Sequence, residues 1–323
     1  MERIEIDKKY RVVSLFAGIG GFDIGFENAG FDVIWANDLD KYACETYKAN
    51  VGNNIVCGDI REQLDNIPEH DILIGGFPCQ PFSTLGKLKG FEDDRGTMFF
   101  YIKKIAQQHD TKILVLENVK NIMNHDHGNT FKRIISELEE IGYSCNYNIL
   151  NTADFGIPQR RNRTYIVAFN KKYFKDEPFA FPKGKKLEIT TQDLLDKEVD
   201  EKYFLSKKIL PTILGQGTKG YIAKPTIDMP ISKTLTATMA KMHRASQDNY
   251  FTDDKNAKGI SDYKSNIRKL TPNECRKLQG FPSDWKQVVS DAQAYKQFGN
   301  AVTVDVSYNV ACSVMEHINK NKL

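Results

Sequence analysis

The chain has 323 residues, of which 41% are hydrophobic, a formal net charge of +3 and a mean hydropathy of −0.47. This length suits one large domain or two ordinary ones with a buried core, and the composition argues against a disordered or coiled-coil protein. No run of about 18 apolar residues occurs, which argues against a membrane-spanning helix. The first nine residues are charged and lack a secretory signal, so we expect a cytoplasmic protein.

From Arg11 to Phe169, short apolar segments alternate with helix-like segments, which is typical of a wound α/β sheet. The predicted strands are Val12–Phe16, Val33–Ala36, Asn54–Cys57, Ile72–Gly75, Ile113–Leu116, Tyr147–Leu150 and Thr164–Phe169. The predicted helices between them are Phe22–Ala29, Lys41–Asn50, Phe99–Gln108 and Thr130–Ile141.

The alternation stops near Lys171, and the chain becomes rich in Lys, Thr, Gly and Pro. This change predicts a second, smaller, irregular and mostly-β domain over residues 171–266. A regular pattern then returns, with a helix after Thr271-Pro272 and a long C-terminal helix from about Val304. The predicted domains are therefore 1–170, 171–266, and a return to the first domain over 267–323.

Positive charge is concentrated in the predicted second domain. Between Leu205 and Ala245 there are seven basic residues and one acid, Asp228. A basic segment on a near-neutral body favours a polyanionic partner, although charge alone is equally typical of a solvated surface.

Cysteines and histidines give no sign of a metal or disulfide framework. The six cysteines are scattered without a CxxC pair, and the one close histidine pair, His125 and His127, lies in a stretch rich in Asn, Asp and Gly. We expect reduced thiols and no metal.

The first motif, FAGIGGF at 16–22, falls where the first predicted strand turns into the first helix. Glycines there allow a tight turn and a close approach of a ligand to the backbone. Asp38 follows Gly18 by twenty residues, a position that suits a carboxylate on ribose hydroxyls. Asp23 stands where the dinucleotide fingerprint has its third glycine, so a nucleoside cofactor without a pyrophosphate fits as well or better. A plain glycine-rich loop remains the alternative.

Three further motifs converge on the same predicted sheet edge. Cys79 lies in a loop after the fourth strand, where it is placed as a nucleophile. Glu117 ends the fifth strand, and Arg161 and Arg163 precede the last strand, where they can present donors to a base or a phosphate. Each residue alone is also typical of a buried thiol or a structural salt bridge. Together they indicate an active site.

In this order the motifs resemble the DNA (cytosine-5)-methyltransferases, in particular the compact bacterial restriction–modification enzymes of the HhaI type. The matching segments are FAGIGGF at 16–22, NDLD at 37–40, GDI at 58–60, GFPCQPFS at 76–83, GFEDDRG at 90–96, ENV at 117–119, QRRNR at 159–163, RKLTPNECRKLQGFP at 268–282 and YKQFGNAV at 295–302. The segment without a strong match, about 171 to 266, is the one that reads the target sequence in this family. The resemblance implies a Rossmann-like methyltransferase sheet with a smaller target-recognition domain.

The resemblance also implies methyl transfer from S-adenosylmethionine to carbon 5 of a cytosine flipped out of duplex DNA. Cys79 would add to carbon 6 as a thiolate, and Glu117 would hold ring nitrogen N3 as a general acid. Arg161 and Arg163 would hold the cytosine carbonyl and a nearby phosphate.

The cofactor pocket carries over in the same way. Phe16 would pack on the adenine, Asp38 would bind the ribose and Asp59 the adenine amino group. The full implied set is Phe16, Gly18, Ile19, Gly20, Gly21, Asp38, Leu39, Asp59, Ile60, Pro78, Asn300 and Val302. Many relatives have Glu-Trp where this chain has Asp38-Leu39, so its carboxylate is shorter and an aromatic contact is absent.

Contacts to DNA are implied in two regions. The loop from about 82 to 96 resembles the family's mobile lid, in which Ser83, Lys87 and Arg95 would contact DNA. Gln216 matches a glutamine that fills the space left by the flipped base. The other implied recognition residues are Lys219, Thr234 and Leu235. A glycine-rich surface turn and an ordinary strand also explain these last four residues.

Two alternatives remain open. The family's RNA-modifying branch acts on transfer RNA, but its typical Cys-Phe-Thr signature is not visible here. A catalytically inactive DNA-binding homologue is the other, although all residues that the chemistry needs are present. A nicotinamide enzyme would explain neither Cys79 nor the basic segment. We expect a bacterial or phage monomer, which a separate restriction endonuclease could accompany.

Overall fold

The computed structural model describes residues 10–78, 98–215, 226–240, 244 and 246–321. Six predicted site residues lie outside the described residues: Cys79, Ser83, Lys87, Arg95, Gln216 and Lys219.

Twelve strands and eight α-helices are found in the described part of the chain. The strands are β1 (Arg11–Leu15), β2 (Asp32–Asp38), β3 (Ile55–Cys57), β4 (Ile72–Gly76), β5 (Ile113–Val119), β6 (Tyr143–Asn151), β7 (Gln159–Arg160), β8 (Asn162–Asn170), β9 (Phe204–Ser206), β10 (Ser232–Lys233), β11 (Tyr250–Thr252) and β12 (Lys264–Lys269). The helices are α1 (Gly21–Asn28), α2 (Lys41–Asn50), α3 (Met98–Gln108), α4 (Asn129–Glu140), α5 (Leu210–Leu214), α6 (Pro272–Lys277), α7 (Asp291–Asn300) and α8 (Val304–Asn321).

A seven-stranded sheet has the order β3-β2-β1-β4-β5-β8-β6. The first five strands in this order are parallel, so their carboxyl ends share one edge. β8 is antiparallel to β5 and pairs Arg163 with Val119, so β8 begins at the edge where β5 ends. The α/β fold expected from the sequence is confirmed, and every strand predicted up to Phe169 is present. We call the edge at the carboxyl ends of β1 to β5 the functional edge.

The central strands form because they are apolar on both faces, as buried parallel strands require. In β4 and β5, Ile72 to Ile74 and Ile113 to Leu116 are fully buried. Helix α3 covers this part of the core with Phe99, Ile102 and Ile105, which recur at helical spacing on one face.

The chain divides into two compact units. The first contains Met1–Leu150, Asn162–Lys183 and Val306–Leu323, and it holds the seven-stranded sheet. The second contains Asn151–Arg161 and Gly184–Asp305. It has a parallel pair, β10-β7, an antiparallel sheet of order β11-β12-β9, and helices α5 to α7.

The second unit extends beyond the predicted domain of residues 171–266. Strand β12 runs through residue 266, and Arg268 within it is buried between Asp253 and Glu274, with ion pairs of 2.7 and 2.8 Å. Residues up to Asp305 belong to this compact unit, although residues from 267 onward were expected to return to the first domain. Helix α7 was not predicted.

None of the helices in the described ranges is long and apolar enough to cross a membrane.

Candidate active site

The turn between β1 and α1 depends on left-handed backbone at Phe16, Gly18 and Gly20, whose φ angles are 56°, 58° and 85°. A Cβ on Gly20 would lie 2.8 Å from the side chain of Val51, so this position requires glycine. A Cβ on Gly18 would meet no described atom within 4 Å. The backbone is therefore open to a ligand at Gly18. The glycine motif was predicted here, and the turn lies at the functional edge.

Asp38 ends β2 directly beside this turn. Its Oδ2 accepts a hydrogen bond of 2.8 Å from the Gly18 N–H, and its Oδ1 accepts one of 2.8 Å from the Asp40 N–H. The carboxylate is thus held by backbone donors on both sides. Leu39, the next residue, is 70% exposed. The structure brings the predicted residues Gly18 and Asp38 together.

Asp59 follows β3, the neighbour of β2. Its carboxylate caps the short 3-10 helix Ile60–Glu62 and forms an ion pair of 2.5 Å with Arg61. Hydrogen bonds from Arg61 lower the pKa of Asp59 below its usual value. The ends of three adjacent strands therefore present Phe16, Asp38 and Asp59 at one edge.

Three other predicted cofactor residues have mostly buried positions in this unit. The side chains of Ile19 and Ile60 lie in the hydrophobic core, and Gly21 begins α1 as a buried residue. Because the Ile19 side chain is buried and Gly21 has none, these two residues would contact a ligand through backbone groups.

A buried acid lies next to the glycine turn. Asp23 is 0% exposed, and its carboxylate accepts hydrogen bonds from Ser14 Oγ at 2.6 Å and from Tyr47 Oη at 2.7 Å. Burial raises the pKa of Asp23 to about 6, against the opposing effect of the two hydroxyl donors. Sequence reasoning noticed Asp23 only as a departure from a glycine pattern.

The predicted acid and one predicted arginine form an ion pair. Arg163 Nε lies 2.9 Å from Glu117 Oε1, and the two side chains are only 16% and 10% exposed. Asn118 Nδ2 donates a 2.8 Å hydrogen bond to the Phe77 carbonyl, which ties the end of β5 to the chain just after β4. Exposed Pro78 follows Phe77. Glu117 and Arg163 therefore lie at the functional edge, beside the segment that leads to Cys79.

Arg161 has a different environment from the one expected. It belongs to the second unit, is 2% exposed, and donates through Nη1 to the carbonyl of Leu235 at 3.1 Å. Its Nη2 donates to the carbonyls of Gly299 and Ala301 at 3.1 and 2.7 Å. These donors bind backbone of the protein, contrary to the predicted contact with a base or phosphate. Arg161 therefore joins three chain segments of the second unit.

The remaining described site residues also lie in the second unit. Leu235 is 1% exposed and its N–H donates to Gln159, so its side chain belongs to the core. The expected position on a DNA-contacting surface is therefore wrong for this side chain. The hydroxyl of half-buried Thr234 donates to the Arg160 carbonyl at 2.6 Å. Asn300 is exposed at the end of α7, and Val302 follows it as a half-buried residue.

The sequence matches one protein family over almost its whole length. The model of the C-5 cytosine-specific DNA methylase family matches residues 10–316. The chain belongs to this family. The membership predicted from the motif order is thereby confirmed.

Several relatives of this methylase are named type II methyltransferases. It is 42% identical to the type II methyltransferase M.SsoII of Shigella sonnei over 315 residues, which are 94% of this chain and 79% of the relative. It is 37% identical to the type II methyltransferase M.HhaI of Haemophilus parahaemolyticus over 327 residues, which are 96% and 95% of the two chains.

Solved structures of low identity have the same fold. A DNMT2 variant of Spodoptera frugiperda superposes with a TM-score of 0.74 at 23% identity, covering 95% of this chain and 100% of that one. The Dnmt2 methyltransferase of S. pombe gives 0.73 at 22% identity, covering 95% and 99%.

No group of three His, Cys, Asp or Glu side chains that could hold a metal ion lies within the described ranges of this methylase.

Proposed function

We propose that this methylase transfers a methyl group to carbon 5 of a cytosine in a short duplex DNA sequence, as the modification enzyme of a type II restriction–modification system. The observation that carries the proposal is the Glu117–Arg163 ion pair, placed at the sheet edge that also holds the glycine turn and Asp38. Family membership and the named type II relatives support the substrate class.

S-adenosylmethionine would supply the methyl group. The residues present fit its nucleoside part, because the backbone at Gly18 is open and the Asp38 carboxylate is already oriented. Each carboxylate oxygen can accept more than one hydrogen bond, so Asp38 can still accept from ribose hydroxyls. Asp59 would bind the adenine amino group and exposed Leu39 would give the ring an apolar contact. The roles of Pro78, Asn300 and Val302 stay predictions.

Two side chains, those of Cys79 and Glu117, would activate carbon 5 of the cytosine ring. The Cys79 thiolate adds to carbon 6 while Glu117 gives a proton to N3, which takes it with the electron pair of the N3–carbon 4 double bond. The π electrons of the carbon 5–carbon 6 bond move into a carbon 4–carbon 5 double bond, and this enamine is nucleophilic at carbon 5. After methylation the carbon 5 proton passes to water, Cys79 leaves carbon 6 as a thiolate, and the N3 proton returns to Glu117, which restores the aromatic ring. Arg163 orients the Glu117 carboxyl through the bond at Nε. We assign Arg161 a positioning role, because its donors bind backbone carbonyls.

The target base must leave the duplex before this chemistry, at a cost of a few kcal/mol of stacking and pairing. That the protein is a monomer, that it works in the cytoplasm, and that a separate restriction endonuclease accompanies it stay predictions.

The deciding experiment measures transfer of labelled methyl groups to unmethylated plasmid DNA and to transfer RNA, followed by mapping of the modified cytosines. We expect label at one short DNA motif and none in RNA. Label in RNA alone would place the protein in the RNA-modifying branch, and DNA binding without label would indicate an inactive homologue. The Cys79→Ala variant should retain cofactor binding and lose transfer. Substantial remaining transfer would remove Cys79 from its role.

A further inference from the structure

The three arginines of the segment Gln159–Arg163 have three separate environments. Arg163 pairs with Glu117, and Arg161 binds backbone carbonyls. Arg160 is exposed, and its guanidinium has no ion-pair or hydrogen-bond partner in the described part of the chain. Sequence reasoning assigned roles to the other two arginines and passed over this one.

Arg160 lies beside an open pocket of about 290 Å³ within the second unit. Strands β7 and β10 pair in parallel and place Lys233 opposite Arg160. The pocket is lined by Arg160, Lys233, Thr234, Thr236, Ser246 and Gln247. The described residues of its lining thus supply two cations, three hydroxyl groups and one amide, and no carboxylate.

Asp248, the residue after Gln247 of this lining, is already paired with a cation. Asp248 forms an ion pair of 3.0 Å with Arg244 and accepts the Arg244 N–H at 2.8 Å. Lys233 Nζ donates to the Asp248 backbone carbonyl at 3.1 Å. Burial lowers the pKa of Lys233, which is an electrostatic cost of holding a charge in this position. A bound anion would offset that cost.

We propose that this pocket binds a phosphate of the DNA backbone, with Arg160 and Lys233 as its cationic donors. The inference rests on the proposed function, since it takes DNA as the partner. Arginine, lysine and hydroxyl side chains are the usual partners of DNA phosphates, and such contacts fix the position of a protein on the duplex without reading bases. The pocket would therefore anchor the second unit on the DNA and leave sequence choice to other residues.

The test compares the affinities of Arg160→Gln, Lys233→Met and the double variant with the affinity of the wild-type protein across a series of salt concentrations. The probe is a short DNA duplex of arbitrary fixed sequence. Lys258→Gln is the matched control, because Lys258 is an exposed cation of the same unit outside the pocket. The double variant should bind more weakly, and the slope of log K against log salt should become shallower by about 0.9, the value for one lost phosphate contact.

A slope and affinity equal to those of Lys258→Gln would overturn the proposal. So would a loss confined to duplexes that contain the mapped methylation site, because that result would mean base reading. Thermal unfolding of each variant identifies any loss due to misfolding, and Arg160→Gln alone decides the matter if Lys233→Met is unstable. Since the probe needs no methylation site, a failed anchor is distinguishable from failure of the wild-type protein to methylate DNA.

Discussion

Glu117 and Arg163 lie on the paired strands β5 and β8, where Glu117 is opposite Tyr165 and Arg163 is opposite Val119, and their side chains are mostly shielded from water. An ion pair in such a position is stronger than one on the surface, because solvent screens it less. The pair therefore holds the Glu117 carboxyl group in a defined orientation at the functional edge, as a group that exchanges a proton with a positioned ring nitrogen needs.

Glu117→Gln should lower the rate of methyl transfer by about 100-fold or more, the usual contribution of a general acid. DNA binding should change little, because the amide has nearly the same size. Single-turnover rates and duplex affinities measure the two effects, with Glu45→Gln on the exposed face of α2 as the control. Equal losses of rate and affinity would mean that Glu117 is a structural acid.

Arg161 should matter for stability. Replacing it with Met leaves the carbonyls of Leu235, Gly299 and Ala301 without these donors in a buried place. We expect the free energy of unfolding to fall by about 3 kcal/mol, whereas exposed Arg160→Gln should change it by less than about 0.5 kcal/mol. Denaturant titration gives both values. A fully stable but inactive Arg161→Met protein would restore the catalytic role first expected.

At the scale of elements, the β1–α1 turn needs glycine for two different reasons: open space for a ligand at Gly18 and close packing against Val51 at Gly20. Gly18→Ala should cost only about 1 kcal/mol of stability, the strain of a left-handed alanine, but should weaken cofactor binding because its Cβ enters the open space. Gly20→Ala should cost more stability, because its Cβ adds a clash with Val51 to the same strain. Calorimetric binding of S-adenosylmethionine and thermal unfolding test the pair. Unchanged cofactor affinity in Gly18→Ala would remove the turn from the cofactor site.

The same turn should show a pH dependence through Asp23. Its folded pKa of about 6 exceeds the ordinary value of 3.8, so the folded protein holds the proton more tightly and is favoured at low pH. Between the unfolded pKa of 3.8 and the folded pKa of about 6, the wild type should lose about 3 kcal/mol of unfolding free energy relative to Asp23→Asn, at 1.36 kcal/mol for each of about two pKa units. Asp32→Asn, at an exposed position in β2, serves as the control. A constant difference from pH 4 to 7 would contradict the buried, raised acid.

The elements differ in how well their sequences predict them. Strands such as Ile72–Gly76 were found because buried β-branched runs are a strong local signal. The antiparallel direction of β8 was not predicted, because the direction of a strand depends on the path of the chain and not on its composition. Helix α7 has a weak apolar pattern, with polar Gln297 among its buried residues, and it was missed. Arg161 binds backbone carbonyls and Arg163 binds Glu117. This difference depends on tertiary partners that the spacing of a motif does not reveal.

For the whole molecule, the extent of the second unit is the main departure from expectation. The sequence composition changes at residue 171 and a regular pattern returns near residue 268, which predicted a domain of residues 171–266. The contacts instead define a unit of residues 151–161 and 184–305. Buried ion pairs contribute to this packing across residue 266, since Arg268 binds both Asp253 and Glu274. Such pairs link residues through space and leave no periodic trace in the sequence.

Arg268→Met should therefore destabilise the protein by about 3 kcal/mol or more, because it leaves two carboxylates without their buried partner. The loss should be smaller at acidic pH, where those carboxylates can take up protons. Denaturant titration at two pH values checks this, with the exposed Lys258→Met as the control. An unfolding free energy equal to that of the control would mean that the triad does not hold the second unit together.

Mutant alleles of the short segment Gln159–Arg163 should have different phenotypes from one arginine to the next. Its arginines serve the surface, the interior of the second unit and the functional edge in turn, so mutant alleles should differ in kind at these three positions. Alleles of Arg161 should be temperature-sensitive, and alleles of Arg160 should be rescued by higher gene dosage, since more protein compensates for weaker binding. Alleles of Arg163 should respond to neither treatment.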